Sequence, residues 1–321
     1  YDAALFRAFA DDLEFVAAWR RSTSPVLDSS RIAALARWQF AYESGYQRRL
    51  ARALAEQPTT RPLGRPDVQA VFCIDVRSEV FRRHLERALP GTQTIGFAGF
   101  FGFPVSHGGA QGGASAARCP VLLVPAVETY EPLSPAAGAR LRAERAASGA
   151  WKAFQNSAAS CFSFVESVGL GFGFALGRPK PAGRLSCSRV APSFTEASLE
   201  TRAALAAGAL RNMSLVGNFA RLVLICGHGS ESANNPYASG LDCGACGGHA
   251  GDVNARLAAL TLNDPSVRAL LAQQGLVLPA DSVFLAGLHN TTTDDLVLFD
   301  LERLPESHRG REKGDWRRNP E

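Results

Sequence analysis

Val68-Gln69-Ala70-Val71-Phe72-Cys73-Ile74 is a short run of β-forming residues, preceded by the turn formers Gly64 and Pro66 and followed at once by Asp75-Val76-Arg77-Ser78. Beyond it, Val80, Phe81, Leu85 and Leu89 recur at helical spacing until Pro90-Gly91 closes the segment. A strand leading into an amphipathic helix is the first half of a βαβ unit, and Ser78 is the expected cap of that helix. Further apolar runs at Thr94 to Ala98, Val121 to Val124, Leu222 to Cys226 and Val283 to Leu288 are separated by helical stretches. One of these, Ala197 to Met213, follows Ser193-Phe194-Thr195-Glu196, which has capping-box spacing. Continuous apolar strands alternating with helices predict an α/β fold with a mostly parallel sheet flanked by helices on both faces.

Upstream, Leu5, Phe9, Leu13 and Val16, then Leu35, Trp38, Tyr42, Tyr46, Leu50 and Leu54, recur at helical spacing and predict two amphipathic helices. Residues 1–65 therefore read as an N-terminal helical segment, 66–305 as the α/β domain, and 306–321 as a tail that continues in a longer protein. The glycine-rich stretch from Gly96 to Gly113, with Phe97, Phe100, Phe101 and Phe103, is expected to be a lid, an interface loop or an ordered surface loop packed by aromatics. Ser157 to Leu176 approaches membrane length but carries Glu166, several serines and glycines. Spanning needs about 20 predominantly apolar residues, so a buried or interfacial helix running into a glycine-rich loop is the expectation there.

With 46% hydrophobic and 20% charged residues, the 321-residue chain has the material for a substantial core. Its 34 Lys+Arg are interspersed with 30 Asp+Glu, and no aromatic-studded basic stripe appears, which argues against nucleic acid as a partner. Seven cysteines make an odd count; Cys226 stands two residues before His228 and Cys246 three before His249. That pattern favours reduced thiols and metal over a disulfide framework. The chain opens at Tyr1 without a basic-then-apolar leader, and is expected to be a piece of a longer intracellular protein.

In an open parallel sheet, ligands bind beyond the carboxyl ends of the strands. Cys73 and Asp75 end one predicted strand and His228 ends another, so all three are expected at one edge, with Cys73 and Asp75, two apart, projecting to one side. Two thiols, an imidazole and a carboxylate are ligands that zinc accepts. Arg77, two residues after Asp75, offers that carboxylate a bidentate partner in competition with the metal. With Asp75 on the metal, the shell is Cys73, Asp75, His228 and Cys243; with Asp75 on Arg77, a position opens for water, whose pKa zinc lowers from about 15.7 to about 7. Plainer readings stand beside this one. Cys73 alone reads as a small buried hydrophobe, Asp75-Arg77 as a structural ion pair, and Cys243-Gly-Ala-Cys246-Gly-Gly-His249, with Cys226 or His228, as a structural zinc knuckle. Spacing does not separate the two metal sets. His289-Asn290-Thr291-Thr292-Thr293-Asp294 ends a further apolar run at the same edge, where His289 is expected to support the ligands or line the pocket.

Four stretches together resemble the DabA family, subunits of two-component inorganic carbon uptake complexes. They are Val71-Phe72-Cys73-Ile74-Asp75-Val76-Arg77-Ser78-Glu79, Gly227-His228-Gly229-Ser230 with Asn234-Asn235-Pro236, Leu241-Asp242-Cys243-Gly244-Ala245-Cys246-Gly247-Gly248, and His289 to Asp294. The resemblance implies a zinc site like that of β-type carbonic anhydrases at Cys73, Asp75, His228 and Cys243, with Asp75 and Arg77 as the catalytic dyad and His289 and Cys246 as supporting residues. It also implies CO2 conversion to bicarbonate by zinc-hydroxide attack, inactive without an integral-membrane, cation-translocating, DabB-like partner, at the cytoplasmic face of the inner membrane. Fourteen residues separate His228 from Cys243, where the anhydrases have a very short gap. An assembly module with a structural zinc, or a metallohydrolase, are the alternatives.

Overall fold

A computed structural model describes residues 29–56, 64–108, 115–156, 190–232 and 237–308, with Glu14, Val16, Ala17, Glu166, Gly169, Leu185, Cys187 and Asn235. The chain divides into two compact units, Tyr1–Leu63 and Gly64–Glu321. In the first, helix α1 (Ser29–Glu56) carries Leu35, Trp38, Tyr42, Tyr46, Leu50 and Leu54 at the predicted spacing, all exposed. The helix expected around Leu5 to Val16, most of the Ser157 to Leu176 stretch and the tail after His308 lie outside the described residues.

In the second unit the opening run is strand β1 (Val68–Cys73), with its last five residues buried. It leads into α2 (Val76–Ala88) and β2 (Thr92–Phe97). Short strands β3 (Val105–Gly108), β4 (Ser115–Arg118) and β5 (Val127–Tyr130) follow, then α3 (Pro135–Asn156) and β6 (Ser193–Phe194). Helix α4 (Leu199–Asn212), β7 (Leu222–Gly229), α5 (Asp252–Asn263), α6 (Pro265–Gln273), β8 (Val283–Asn290) and β9 (Leu296–Leu298) complete the unit.

The main sheet has the order β2-β1-β7-β8-β9, with β2, β1, β7 and β8 parallel and β9 antiparallel at the edge. The chain passes from β1 outward to β2, then returns to place β7 on the other side of β1. The carboxyl ends of β1 and β7 therefore flank a topological switch point, where open α/β sheets gather their ligands. A second, smaller sheet runs β4-β3-β5-β6.

Alternation along each strand divides the core between two faces. Val71, Val223, Ile225, Phe284, Ala286 and Leu288 enter the larger cluster with residues of α4, α5 and α6. Ala70, Phe72, Leu224, Cys226, Val283 and Leu285 enter the smaller one, against Phe81 and Leu85 of α2. Full burial of a side chain such as Phe72 contributes roughly 1.5–3 kcal/mol. No helix among the described residues is long and apolar enough to cross a membrane.

Several local expectations meet the structure differently. Asp75, not Ser78, caps α2: its backbone is extended and its carboxylate accepts from Arg77 N, while Ser78 is buried in the first turn. Strand β1 accordingly ends at Cys73, so strand alternation does not carry Cys73 and Asp75 to one side. Helix α4 is capped by Ser198, because Ser193 and Phe194 are taken up as strand β6 on β5. Val121 to Val124 is a loop, not a strand; Pro120 and Pro125 bracket it, Leu123 N closes a turn on Pro120 O, and Val121 and Leu122 are 95% and 92% exposed. In the glycine- and phenylalanine-rich stretch, Gly96 and Phe97 end β2, Val105–Gly108 is β3, and the loop between them is packed by aromatics as expected, with Phe101 and Phe103 fully buried in the core.

Candidate metal centre

Register places the strand-end residues before any side chain is considered. Phe72 of β1 pairs with Cys226 of β7, and His228 of β7 pairs with His289 of β8. Cys73 is thus level with Gly227, with His228 one residue further along. Gly227 has to be glycine: a Cβ there would lie 2.5 Å from the oxygen of Gly251, whose own amide donates to His228 O at 2.9 Å. This backbone contact seats the start of α5 directly against the end of β7.

Cys243 is set between two 3-10 turns, Ala238–Leu241 before it and Gly244–Cys246 after it. Asp242 Oδ1 accepts from the amide and hydroxyl of Ser230 at 3.1 and 3.2 Å, and Cys243 N donates to His249 O at 3.2 Å. The long gap of the sequence is closed in space. Cys243 Sγ comes to 3.6 Å from Cys73 Sγ, and ligand atoms of Cys73, His228 and Cys243 all lie within 4.8 Å of one another.

This donor set fits a metal ion. Zn–S bonds of about 2.3 Å at a tetrahedral angle separate two ligating sulfurs by about 3.8 Å, close to the spacing found. His228 is buried, and its Nδ1 has no hydrogen-bond partner among the described residues. The contacts with Cys246 and Cys73, then that with His228, push the Cys243 thiol pKa far down and favour its thiolate. The hydrogen bond to Cys243 and burial push Cys73 up.

Asp75 stands beside the cluster on Arg77. Its Oδ1 accepts from Arg77 N at 2.9 Å and Nε at 2.8 Å, its Oδ2 accepts from Nη2 at 3.0 Å, and Oδ2 lies 3.9 Å from His228 Nε2. The Arg77 side chain, then its amide and the nearby His228, hold the Asp75 carboxyl at about 2 against the opposing effect of burial. Arg77 Nη2 also donates to Leu241 O at 2.9 Å, so one guanidinium ties the Asp75 corner to the loop that delivers Cys243.

The other nominated residues sit around this group, not in it. His289 is fully buried, with Nδ1 3.0 Å from Ser78 Oγ and Nε2 3.0 Å from Asp294 Oδ1, and its ring packs on Phe81. A carboxylate only accepts, so Nε2 carries the hydrogen and Ser78 donates to Nδ1. Burial lowers the His289 pKa. Cys246 Sγ donates to Gly99 O at 3.1 Å. The knuckle that spacing left open is not assembled, since the metal-capable group among the described residues is Cys73, His228 and Cys243. Sequence reasoning missed Ser78 and Asp294 as partners of His289, and Gly99 over the sulfurs; the glycine-rich composition around Gly99 was the only signal. A surface cavity of about 790 Å³, lined by residues such as Phe194, Arg202, Arg256 and Asp300, contains none of these residues.

A family model described as "Probable inorganic carbon transporter subunit DabA" matches residues 13–314. A protein so described from Chloroflexus aurantiacus (strain ATCC 29366 / DSM 635 / J-10-fl) is 43% identical over 353 residues, which cover 96% of this chain and 41% of the relative. Another, from Roseiflexus sp. (strain RS-1), is 46% identical over 300 residues, covering 84% and 36%. The "Probable inorganic carbon transporter subunit DabA 2" of Bradyrhizobium sp. (strain ORS 278) is 44% identical over 347 residues, covering 94% and 41%. The chain spans about two fifths of the length of these relatives. No solved structure matches it.

Proposed function

The chain belongs to the DabA family of probable inorganic carbon transporter subunits, and from that membership we propose that it converts CO2 to bicarbonate at a zinc centre within an energy-coupled uptake complex. The observation that carries the reading is the buried Cys73, His228 and Cys243 cluster with the Asp75-Arg77 pair beside it. Two thiols and an imidazole suit zinc and disfavour magnesium or calcium, which take oxygen ligands. Zinc in such a site supplies a Lewis acid that lowers the pKa of water from about 15.7 to about 7.

The protein's own residues set what that acidity is used for. Phe100 and Ala245 pack against the cysteine cluster and give it an apolar wall, suited to an uncharged linear molecule such as CO2. Arg77 holds Asp75 ionised, and with that carboxylate engaged a zinc held by Cys73, His228 and Cys243 would have a ligand position for water. Were Asp75 to release Arg77, its carboxylate would be free to take that position on a zinc held by Cys73, His228 and Cys243. Arg77 Nη2 also holds Leu241 O at 2.9 Å, a contact that does not pass through Asp75, so the two arrangements we propose differ chiefly in one carboxylate. An uncoupled hydration only reaches equilibrium; accumulation of bicarbonate requires an energy source. We assign that role to a membrane-embedded, cation-translocating, DabB-like subunit, with this chain peripheral on the cytoplasmic face of the inner membrane.

Purified full chain should hold about one zinc, lost in Cys243→Ser, as a site dependent on each ligand requires. In cells carrying the whole complex, Asp75→Asn should abolish bicarbonate accumulation without unfolding the protein. The near-complete burial of Cys73, His228 and Cys243 favours a second reading, an assembly module with a structural zinc. Under that reading Asp75→Asn keeps accumulating bicarbonate, and the primary proposal falls.

A further inference from the structure

Three sulfurs crowd the sheet edge, and only two belong to the metal-capable group. Cys73, Cys243 and Cys246 form one buried cluster. Cys246 Sγ lies 3.1 Å from the carbonyl oxygen of Gly99, far away in sequence. A carbonyl oxygen offers only lone pairs, so the hydrogen of this contact sits on sulfur. Turned to that carbonyl, Cys246 stands outside the group whose ligand atoms lie within 4.8 Å of one another.

Gly99 faces the other two sulfurs. Its amide donates to the Cys73 sulfur, and a Cβ added to it would lie 2.5 Å from Cys243 Sγ and 2.7 Å from Cys73 Sγ. The backbone at Gly99 therefore presses on both sulfurs at once, a closeness only glycine allows. On either side the segment is held by others. Phe97 O accepts from Ile74 N at 2.9 Å, Phe103 O accepts from Asn254 Nδ2 at 2.8 Å, and Phe101 and Phe103 are fully buried. Gly99 has no side chain of its own to fix it between these anchors.

We infer that Cys246 is a positioning residue whose thiol latches the Gly99 peptide across the sulfurs of Cys73 and Cys243 and so sets their orientation for metal. The inference rests on the metal reading above. Cys246 then belongs to the centre without binding the ion, and Gly99 acts through its peptide group alone. Groups that orient metal ligands typically change affinity 10- to 100-fold when removed.

The experiment measures zinc affinity by chelator competition in the full chain, with cobalt substitution to count thiolate ligands from the intensity of the sulfur-to-cobalt band. Cys246→Ala should bind zinc about 10- to 100-fold more weakly with the cobalt band of the parent, as expected when an orienting hydrogen bond and no ligand is lost. Cys246→Ser, which keeps a donor, should recover most of the affinity. Gly99→Ala should lose zinc while urea unfolding of the metal-free chain stays cooperative, since Phe101 and Phe103 still anchor the segment. Wild-type affinity in Cys246→Ala would overturn the latch. A weaker cobalt band in Cys246→Ser and Cys246→Ala alike would overturn it differently, by making Cys246 a ligand. Failure of the parent chain to bind zinc or cobalt would instead remove the metal reading beneath it.

Discussion

Replacing Arg77 by alanine probes the clamp that holds Asp75 beside the cysteine cluster. The guanidinium gives Asp75 hydrogen bonds at 2.8 and 3.0 Å and reaches Leu241 O at 2.9 Å. With the Arg77 side chain as the main cause, the Asp75 carboxyl sits at about 2 instead of 3.8. That difference is worth about 2.4 kcal/mol at about 1.36 kcal/mol per pH unit. Asp75 remains partly open to water and alanine retains the capping amide, so the side chain's share falls to about 1–1.5 kcal/mol. Losing the Leu241 contact adds about 1 kcal/mol that does not vary with pH. Folding depresses the Asp75 pKa, so its stabilisation is complete well above pH 3.8 and is lost as pH falls towards 2. Chelator-treated Arg77→Ala is therefore expected to be about 2–2.5 kcal/mol less stable than the parent at pH 7. By pH 3 about half of the pH-dependent part should be gone. Urea unfolding of both proteins at pH 7, 5, 4 and 3 reads the difference. A constant gap over that range would refute the reasoning, because Arg77 would then be acting through Leu241 and packing alone.

Two substitutions test the scaffold around the centre. Gly227→Ala sets a Cβ 2.5 Å from Gly251 O, and should cost about 3 kcal/mol or more in thermal or urea unfolding and weaken metal binding as the start of α5 moves off β7. His289→Ala empties a fully buried position and removes the contacts to Ser78 and Asp294; a loss of about 2–4 kcal/mol is expected by urea unfolding, against about 1 kcal/mol for Ser78→Ala.

The parallel core was legible because its strands are buried on both faces. Val68 to Cys73, Leu222 to Cys226 and Val283 to Leu288 are apolar with little interruption, and a parallel sheet needs that composition. The smaller sheet was not. Ser115–Arg118 and Ser193–Phe194 are too short and too mixed to carry a period, and the apolar run beside them, Val121 to Val124, is held out of any ladder by its flanking prolines. At the site, residue type and strand-end position nominated Cys73, His228 and Cys243, which the fold brings together. What spacing left undecided was whether Cys243 joins Cys73 and His228 or a knuckle of Cys246 and His249 with Cys226 or His228. The Cys246 contact runs to a main-chain oxygen at Gly99, and main-chain acceptors leave no mark in residue identity. The capping error at α2 has a similar origin, since Asp75 and Ser78 are both good caps and only the length of β1 selects between them.

The sulfurs that meet at the sheet edge come from positions 170 residues apart. Bringing such distant points of a chain together carries a closure entropy of about 4.5 kcal/mol, apart from a constant. No short peptide excised around either cysteine contains the site, and during synthesis the binding geometry is absent until β7 has docked on β1 and the following loop has been made. Capture of an ion by this group would therefore be a late event in maturation, and the ion would tie the first strand of the sheet to a segment made much later. Its removal would take away a cross-link between Cys73 at the end of β1 and Cys243 beyond β7 while leaving the β1–β7 ladder itself in place.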